Sequence, residues 1–249
     1  MVDAKLPVFC LNLDEAQDRW ARTQEAFAGL DFVELVRVPG VRGDRLPRAA
    51  ALELSKDKFI EGGTIGCFLT HVVAWEHVAS EPGPALIIED DVRPVGLERL
   101  LTLDVPPRVD LVFVNGRMAD PGEKTLALVP AHTAIRRKAS LGPGKAGVGG
   151  DGYWLTPRGA KRLIATVRRD GFSGHVDGRL FRYSVKREHV FNPLLEGNWI
   201  QRSPIFTEAP ERRWHMVKAL RATSPLIVGR ASEPSMRRDM AFATKKVVK

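Results

Sequence analysis

The stretch GTIGCFLTHVVAWEHVASEPGPALIIEDDV, residues 63–92, decides the fold. Thr64 is placed to cap a helix, and Ile65, Phe68, Leu69, Val72, Trp75 and Ala79 recur at helical spacing along one face. Gly66, Thr70 and His77 fall on a different face. The turn EPGP stops this helix. PALII then reads as a short apolar strand that ends on three consecutive carboxylates, Glu89, Asp90 and Asp91.

The same alternation of helix and strand extends outward from this unit. LPVFCLNL (6–13) is a buried strand. Asp14, with Gln17 in the capping-box position, starts a helix that carries Ala16, Trp20 and Phe27 and stops near Gly29. FVELVRV (32–38) and VDLVFVN (109–115) are further strands, with a variable loop and a short helix over 39–63. Tyr153-Trp154-Leu155 resumes a strand, and Thr156-Pro157 is a cap followed by a first-turn proline for a helix over Arg158–Arg168. Residues 119–148, polar and rich in Gly and Pro, are expected to form a lid or substrate loop. The class that follows is α/β, with a mostly parallel sheet flanked by helices. Ligands of such sheets bind beyond the carboxyl ends of the strands. Asn12 and Asp14, Glu89-Asp90-Asp91, and Asn115 all stand at predicted strand ends.

A chain of 249 residues suits one domain, or one domain with a tail. The boundary is expected at 210, because residues 211–249 hold ten Lys/Arg against three Asp/Glu and carry most of the net charge of +8. The segment RRWHMVKALR there reads either as an interfacial helix on anionic lipid or as a solvated basic terminus. Basic charge confined to a tail, without aromatics interleaved on the folded body, makes a nucleic-acid partner unlikely. No run approaches the roughly 20 apolar residues of a membrane span. The N-terminus lacks a basic, signal-like start, so a cytoplasmic protein, peripheral at most on the inner face of the plasma membrane, is expected. Cys10 and Cys67 show no metal spacing and read as small buried hydrophobes.

Three adjacent carboxylates repel one another. An acidic, solvated turn is one reading, and a hard-cation site is the other. If the strand continues through the triplet, alternation puts Glu89 and Asp91 on one side and Asp90 on the other. The chain has no GxGxxG after its first strand and no GxxxxGK[ST], so a diphosphate held by a metal fits better than one held by a glycine loop.

Three blocks give the sequence a specific resemblance. They are VFCLNLDEAQDRW; GTIGCFLTHVVAWEHVA followed by PALIIEDDV; and GDGYWLTPRGAKRLI with HVDGRL. NWIQRSPIF is a weaker echo. Together, over residues 8 to 206, they resemble glycosyltransferase family 25, a group that includes lipopolysaccharide core sugar transferases and collagen galactosyltransferases. The resemblance implies a GT-A-like fold, a UDP-sugar donor (UDP-galactose or UDP-glucose), Mn²⁺ or Mg²⁺, and inversion at the anomeric carbon. It also implies a saccharide or lipid-linked glycan acceptor such as lipopolysaccharide core.

Carried onto this chain, the resemblance makes Asp91 the direct metal ligand, with Glu89 or Asp90 at a second position or on the ribose. Asn12 and Leu13 face the nucleotide. Arg19 contacts donor phosphate or else pairs with Glu15 on the surface. Gly66, Thr70 and His71 belong to the donor-site helix, His71 reading equally as a structural histidine. The general base is Asp177 or Asp151. Asp177 is followed by Gly178, where many relatives carry a second acid, and it reads alternatively as a metal ligand, as does His175. Two other functions share these residues: a catalytically silent sugar-nucleotide-binding relative, and a metal-dependent phosphoryl-transfer or nuclease protein.

Overall fold

The computed structural model describes residues 5–55, 61–141, 148–207 and 214–230. Its strands are β1 (Leu6–Asn12), β2 (Val33–Pro39), β3 (Ala85–Glu89), β4 (Val92–Pro94), β5 (Leu111–Phe113), β6 (Leu128–Pro130), β7 (Gly152–Leu155), β8 (Ala219–Ala222) and β9 (Ile227–Gly229). Its principal helices are α1 (Gln17–Phe27), α2 (Arg48–Ser55), α3 (Gly62–Ser80), α4 (Ala134–Leu141), α5 (Pro157–Asp170) and α6 (Val176–Ser184).

Seven strands form one sheet in the order β2-β1-β3-β7-β5-β8-β6. The pairs β1–β2, β1–β3 and β5–β8 are parallel, while β7 runs antiparallel to β3 and β5, and β6 antiparallel to β8. All strands but β6 and β7 therefore run the same way, and helices cover the sheet. β4 and β9 pair antiparallel in a separate two-stranded sheet.

The strands read as near-continuous apolar runs because both faces of the sheet are buried. Phe9, Leu11, Ile87, Phe113 and Tyr153 point into one core with α3, α5 and α6. Val8, Cys10, Leu86, Ile88 and Val112 point into the other with Phe27 of α1 and with Leu97 and Leu100. α3 is buried around most of its circumference, a wider contact than the predicted stripe, and Leu69 and Val72 of that stripe are only partly covered. Phe68 stacks on Phe172 with ring centroids 4.1 Å apart, which fixes α3 against the segment following α5. Asp110, wholly buried before β5, binds Arg158 Nε and Arg162 Nη1 at 2.7 Å and accepts from Lys218 N at 2.9 Å. One carboxylate thereby joins β5, α5 and the approach to β8.

Several local expectations are corrected. The N-cap of α1 is Ala16, and Asp14 instead accepts from Arg37 Nη2 at 2.8 Å. α3 begins at Gly62, with Glu61 as its cap, so Thr64 lies inside the first turn. The Thr156 cap holds, its hydroxyl accepting from Gly159 N at 3.0 Å. Residues 119–148 are not simply a loop. They contain β6 and α4, and Ala131, Ala134 and Ile135 enter the core; residues 142–147 lie outside the described residues.

The boundary at 210 does not mark the end of the folded unit. β8 is an interior strand of the main sheet, and Trp214 and Val217 are buried in the core that α3 shares. The described part of RRWHMVKALR is thus sheet and core rather than an interfacial helix. Nor is that part a solvated terminus: its interspersed cations hide a short strand, β8. Residues 211–213 and 231–249 lie outside the described residues. No helix among the described residues is long and apolar enough to cross a membrane.

Candidate active site

The carboxyl ends of β1 and β3 lie side by side, with Leu11 opposite Glu89. The predicted strand-end residues therefore converge, and they divide into two groups with different roles.

The first group is fully used within the fold. Asp90 is buried and accepts from Asn12 Nδ2 at 2.7 Å and from Arg19 Nη1 at 2.6 Å. Burial pushes the Asp90 carboxyl up, and Asn12 and Arg19 oppose that shift. Asn12 also donates to Ala16 O and accepts from Arg37 Nε, so all its polar capacity at this end is committed. Arg19 pairs with Asp90, not with Glu15; Glu15 pairs instead with Arg42. Gly66 and Thr70 hold the loop after β2 onto α3. A Cβ on Gly66 would lie 2.2 Å from Val41 O, and the Thr70 hydroxyl accepts from Val41 N at 2.8 Å while donating to Gly66 O. Leu13 is half-buried and packs against Gly40, where a Cβ would meet Leu13 Cδ2 at 2.8 Å. These residues shape the floor of the site.

The second group has spare ligand capacity. Asp91 Oδ1 is buried and accepts no hydrogen bond among the described residues. Burial, then the charges of Glu89 and Asp90, push the Asp91 carboxyl up to about 6. Asp151, also buried, has an Oδ1 without a hydrogen bond among the described residues. Burial pushes it up to about 7, opposed by Arg117 and reinforced by Glu89 and Asp177. Asp151 is carried on the turn before β7. Asn115 fixes that turn by donating to Gly149 O and Gly152 O at 3.0 Å. Gly149 has φ +55, and a Cβ there would sit 2.3 Å from Asp151 Oδ1, so only glycine fits. The Asp151 carbonyl in turn accepts from Glu89 N at 3.2 Å, joining β7's entry to the acidic strand end.

Asp177 lies in the first turn of α6 and packs over Gly150. Gly178, the departure from the family pattern, faces elsewhere: a Cβ there would meet Ile205 Cγ1 at 2.9 Å. An acid at 178 would be driven into apolar packing and would not reach Asp177's side of the helix. His175 is exposed at the N-cap of α6.

Sequence reasoning missed Arg117. Its guanidinium lies 3.6 Å from both Asp151 Oδ2 and Asp177 Oδ2 while its side chain is half exposed. Burial disfavours the Arg117 charge, but Asp151 and Asp177 outweigh it and hold the group above its ordinary value. Nothing in the local pattern after VFVN distinguishes this arginine. Four carboxylates (Glu89, Asp91, Asp151 and Asp177) thus face one arginine, since Asp90 is already neutralised by Arg19. Such a surplus of oxygen donors suits a divalent cation.

Residues 5–94 match the family described as glycosyltransferase family 25 (LPS biosynthesis protein). The match covers about a third of the chain. The matched segment contains Glu89, Asp90 and Asp91; Arg117, Asp151 and Asp177 come from the chain beyond it. A search of curated proteins finds no match. Among solved structures, the chain is similar to the apo form of the glycosyltransferase GlyE of Streptococcus pneumoniae TIGR4, with 12% identity, a TM-score of 0.43, and coverage of 95% of this chain and 59% of that one. It is also similar to the bifunctional glycosyltransferase WbbM, at 11% identity and a TM-score of 0.42, over 94% of this chain and 47% of that one. The chain therefore spans 59% and 47% of the length of these two proteins.

Proposed function

We propose that the protein is an inverting glycosyltransferase that moves a hexose, galactose or glucose, from a UDP-sugar to a saccharide or lipid-linked glycan such as lipopolysaccharide core. The observation that carries this reading is the buried acidic cluster at the β3 end, set within a family 25 segment. The buried Asp91 Oδ1, without a hydrogen bond among the described residues, has the lone pairs to ligate a cation.

Asp91 and Glu89 are the residues that would hold Mn²⁺ or Mg²⁺. When bound there, the ion supplies Lewis-acid stabilisation of the departing diphosphate. The remaining chemistry falls to the chain. The acceptor hydroxyl gives its proton to Asp177 as its oxygen attacks the anomeric carbon. The bond from that carbon to the diphosphate oxygen breaks on the opposite side, and UDP leaves. Asp177 is the better placed base because its side chain is 16% exposed against 3% for Asp151. Asp151 is the second reading, favoured by a carboxyl pushed up to about 7, where a general base works well near neutrality. Arg117, 3.6 Å from both carboxylates, orients them. Asp90, Asn12 and Arg19 act as scaffold, a narrower role than the nucleotide contacts implied by resemblance.

The test is transfer from a panel of UDP-sugars onto lipopolysaccharide-core oligosaccharides, with the anomeric configuration of the product read by NMR. Product of inverted configuration from a UDP-hexose is expected. Failure of every UDP-sugar with Mn²⁺ and Mg²⁺ present, while another nucleotide sugar is transferred, would remove the donor assignment. Product with retained configuration would remove the mechanism.

A further inference from the structure

His71 is a buried histidine that the proposed transfer does not use. Its ring has no exposed surface, and its Nε2 makes no hydrogen bond among the described residues. Its Nδ1 lies 2.8 Å from the Tyr153 hydroxyl, and that oxygen also accepts from Trp75 Nε1 at 2.7 Å. The His71 and Tyr153 rings stack with centroids 5.8 Å apart. The imidazole is therefore held from behind, with Nε2 aimed at Glu89 Oε1, 3.6 Å away. That separation is too long for a hydrogen bond, but it suits two ligands of one metal ion.

A third donor stands at the same place. Cys67 precedes His71 by four residues on α3, and residues four apart on a helix project from one face. Cys67, His71 and Glu89 each offer a ligand atom, and all three atoms lie within 4.8 Å of one another. Cys67 has no second cysteine at metal-binding spacing; the third ligand, Glu89, comes instead from the end of β3.

We propose that Cys67, His71 and Glu89 form a binding site for a zinc-type divalent ion. One thiolate, one imidazole and one carboxylate form a donor set that favours Zn²⁺ or Co²⁺ over Mg²⁺ and Mn²⁺. Three protein ligands leave a fourth position for water or a substrate oxygen. In the tautomer that carries its proton on Nδ1, His71 donates to the Tyr153 oxygen and presents the Nε2 lone pair to the ion. Tyr153 and Trp75 then form the outer shell that orients the ligand. Binding displaces the Cys67 thiol proton to solvent. The site borders the proposed donor site through Glu89, yet it does not depend on sugar transfer.

The experiment is a Co²⁺ and Zn²⁺ titration of chelator-treated protein, comparing the parent chain with Cys67→Ser, His71→Gln and Asp91→Asn. The parent is expected to bind one Co²⁺ with a thiolate-to-cobalt charge-transfer band, bleached by Zn²⁺. Cys67→Ser loses the band and weakens Zn²⁺ binding at least tenfold, and His71→Gln weakens it likewise. Asp91→Asn keeps the band, which separates this site from the proposed donor-metal site. Native-state alkylation gives a readout independent of the variants' folding. Cys10 has no exposed surface, so a thiol reagent reports Cys67, and Zn²⁺ should slow that reaction at least tenfold. Absence of the thiolate band in the parent overturns the proposal. So does Zn²⁺ affinity that survives Cys67→Ser but is lost in Asp91→Asn, or alkylation that Zn²⁺ does not slow. A loss of UDP-sugar transfer alone bears only on the proposed function.

Discussion

Replacing Asp90 and Asp91 separately by Asn separates scaffold from ligand. Asp90 and Arg19 have side chains only 9% and 13% exposed and are joined at 2.6 Å, and Asn12 adds a second contact at 2.7 Å. Asp90→Asn keeps one acceptor oxygen but loses the charge, and it leaves Arg19 facing a neutral amide. Hydrogen bonds to charged groups contribute roughly 1.5–3 kcal/mol, and breaking a buried pair costs about 3–5 kcal/mol. Arg19 keeps some solvent contact, so a loss of about 3 kcal/mol is expected. At roughly 2–4 °C per kcal/mol for a chain of this size, Tm falls by about 6–12 °C.

Asp91→Asn acts in the opposite direction. It removes a buried anion whose Oδ1 has no hydrogen bond among the described residues. With chelator present, stability should stay level or rise by about 1 kcal/mol, as at other sites that trade stability for function. Thermal scans with chelator, paired with Mn²⁺-dependent UDP binding, read both effects. Asp90→Asn should lower Tm yet bind Mn²⁺ and UDP when folded, whereas Asp91→Asn should hold Tm and bind neither. An Asp90→Asn protein of unchanged Tm that has lost Mn²⁺-dependent binding would refute the division of roles.

Three further outcomes are expected. Asp177→Asn should lower kcat by about 10²–10⁴-fold with donor affinity unchanged, measured by UDP release and by calorimetry. Asp110→Asn should cost about 2–4 kcal/mol in urea denaturation without altering metal binding, because it loosens Arg158, Arg162 and Lys218 N far from the carboxylate cluster. Lys138 is buried, and burial, then the charges of Arg137, Arg221 and Arg117, bring its ammonium down to about 7. Between that value and about 10.4 the unfolded chain holds a proton that the folded protein has shed, so this group makes stability rise with pH across that window. Lys138→Met should remove the rise and stabilise the protein by about 1–3 kcal/mol at pH 7, as denaturation midpoints at pH 7 and 9 would record. An unchanged slope would contradict it.

β1 and β3 were legible because each is buried on both faces along most of its length and so carries an apolar run, and β2, an edge strand, because its apolar residues outnumber Glu34 and Arg37. The reversed direction of β7 was not, since side-chain alternation reads the same both ways. β8 escaped notice because Arg221, which a charge count assigns to a basic tail, is buried and pairs with Asp120 at 3.0 Å. The acidic strand end was legible as a cluster, but β3 ends at Glu89 and Asp90 and Asp91 lie in the turn beyond it, so the bonds from Asn12 and Arg19, not strand alternation, set Asp90 apart. The partners were not legible. Asp90 meets Arg19 across 71 positions and His71 meets Tyr153 across 82, and only the folded sheet brings such pairs together. Arg117 left no trace in its own neighbourhood because its role comes from Asp151 and Asp177, carried on other elements.

The central claim is that the β3 end binds a donor diphosphate through a divalent cation. Calorimetric titration of UDP into the parent protein and Asp91→Asn, each with Mn²⁺ and with chelator, tests it most directly. The account predicts UDP binding to the parent that requires Mn²⁺, and binding to Asp91→Asn that is lost under both conditions. Equal UDP affinity with and without Mn²⁺, or undiminished Mn²⁺-dependent binding in Asp91→Asn, would contradict it.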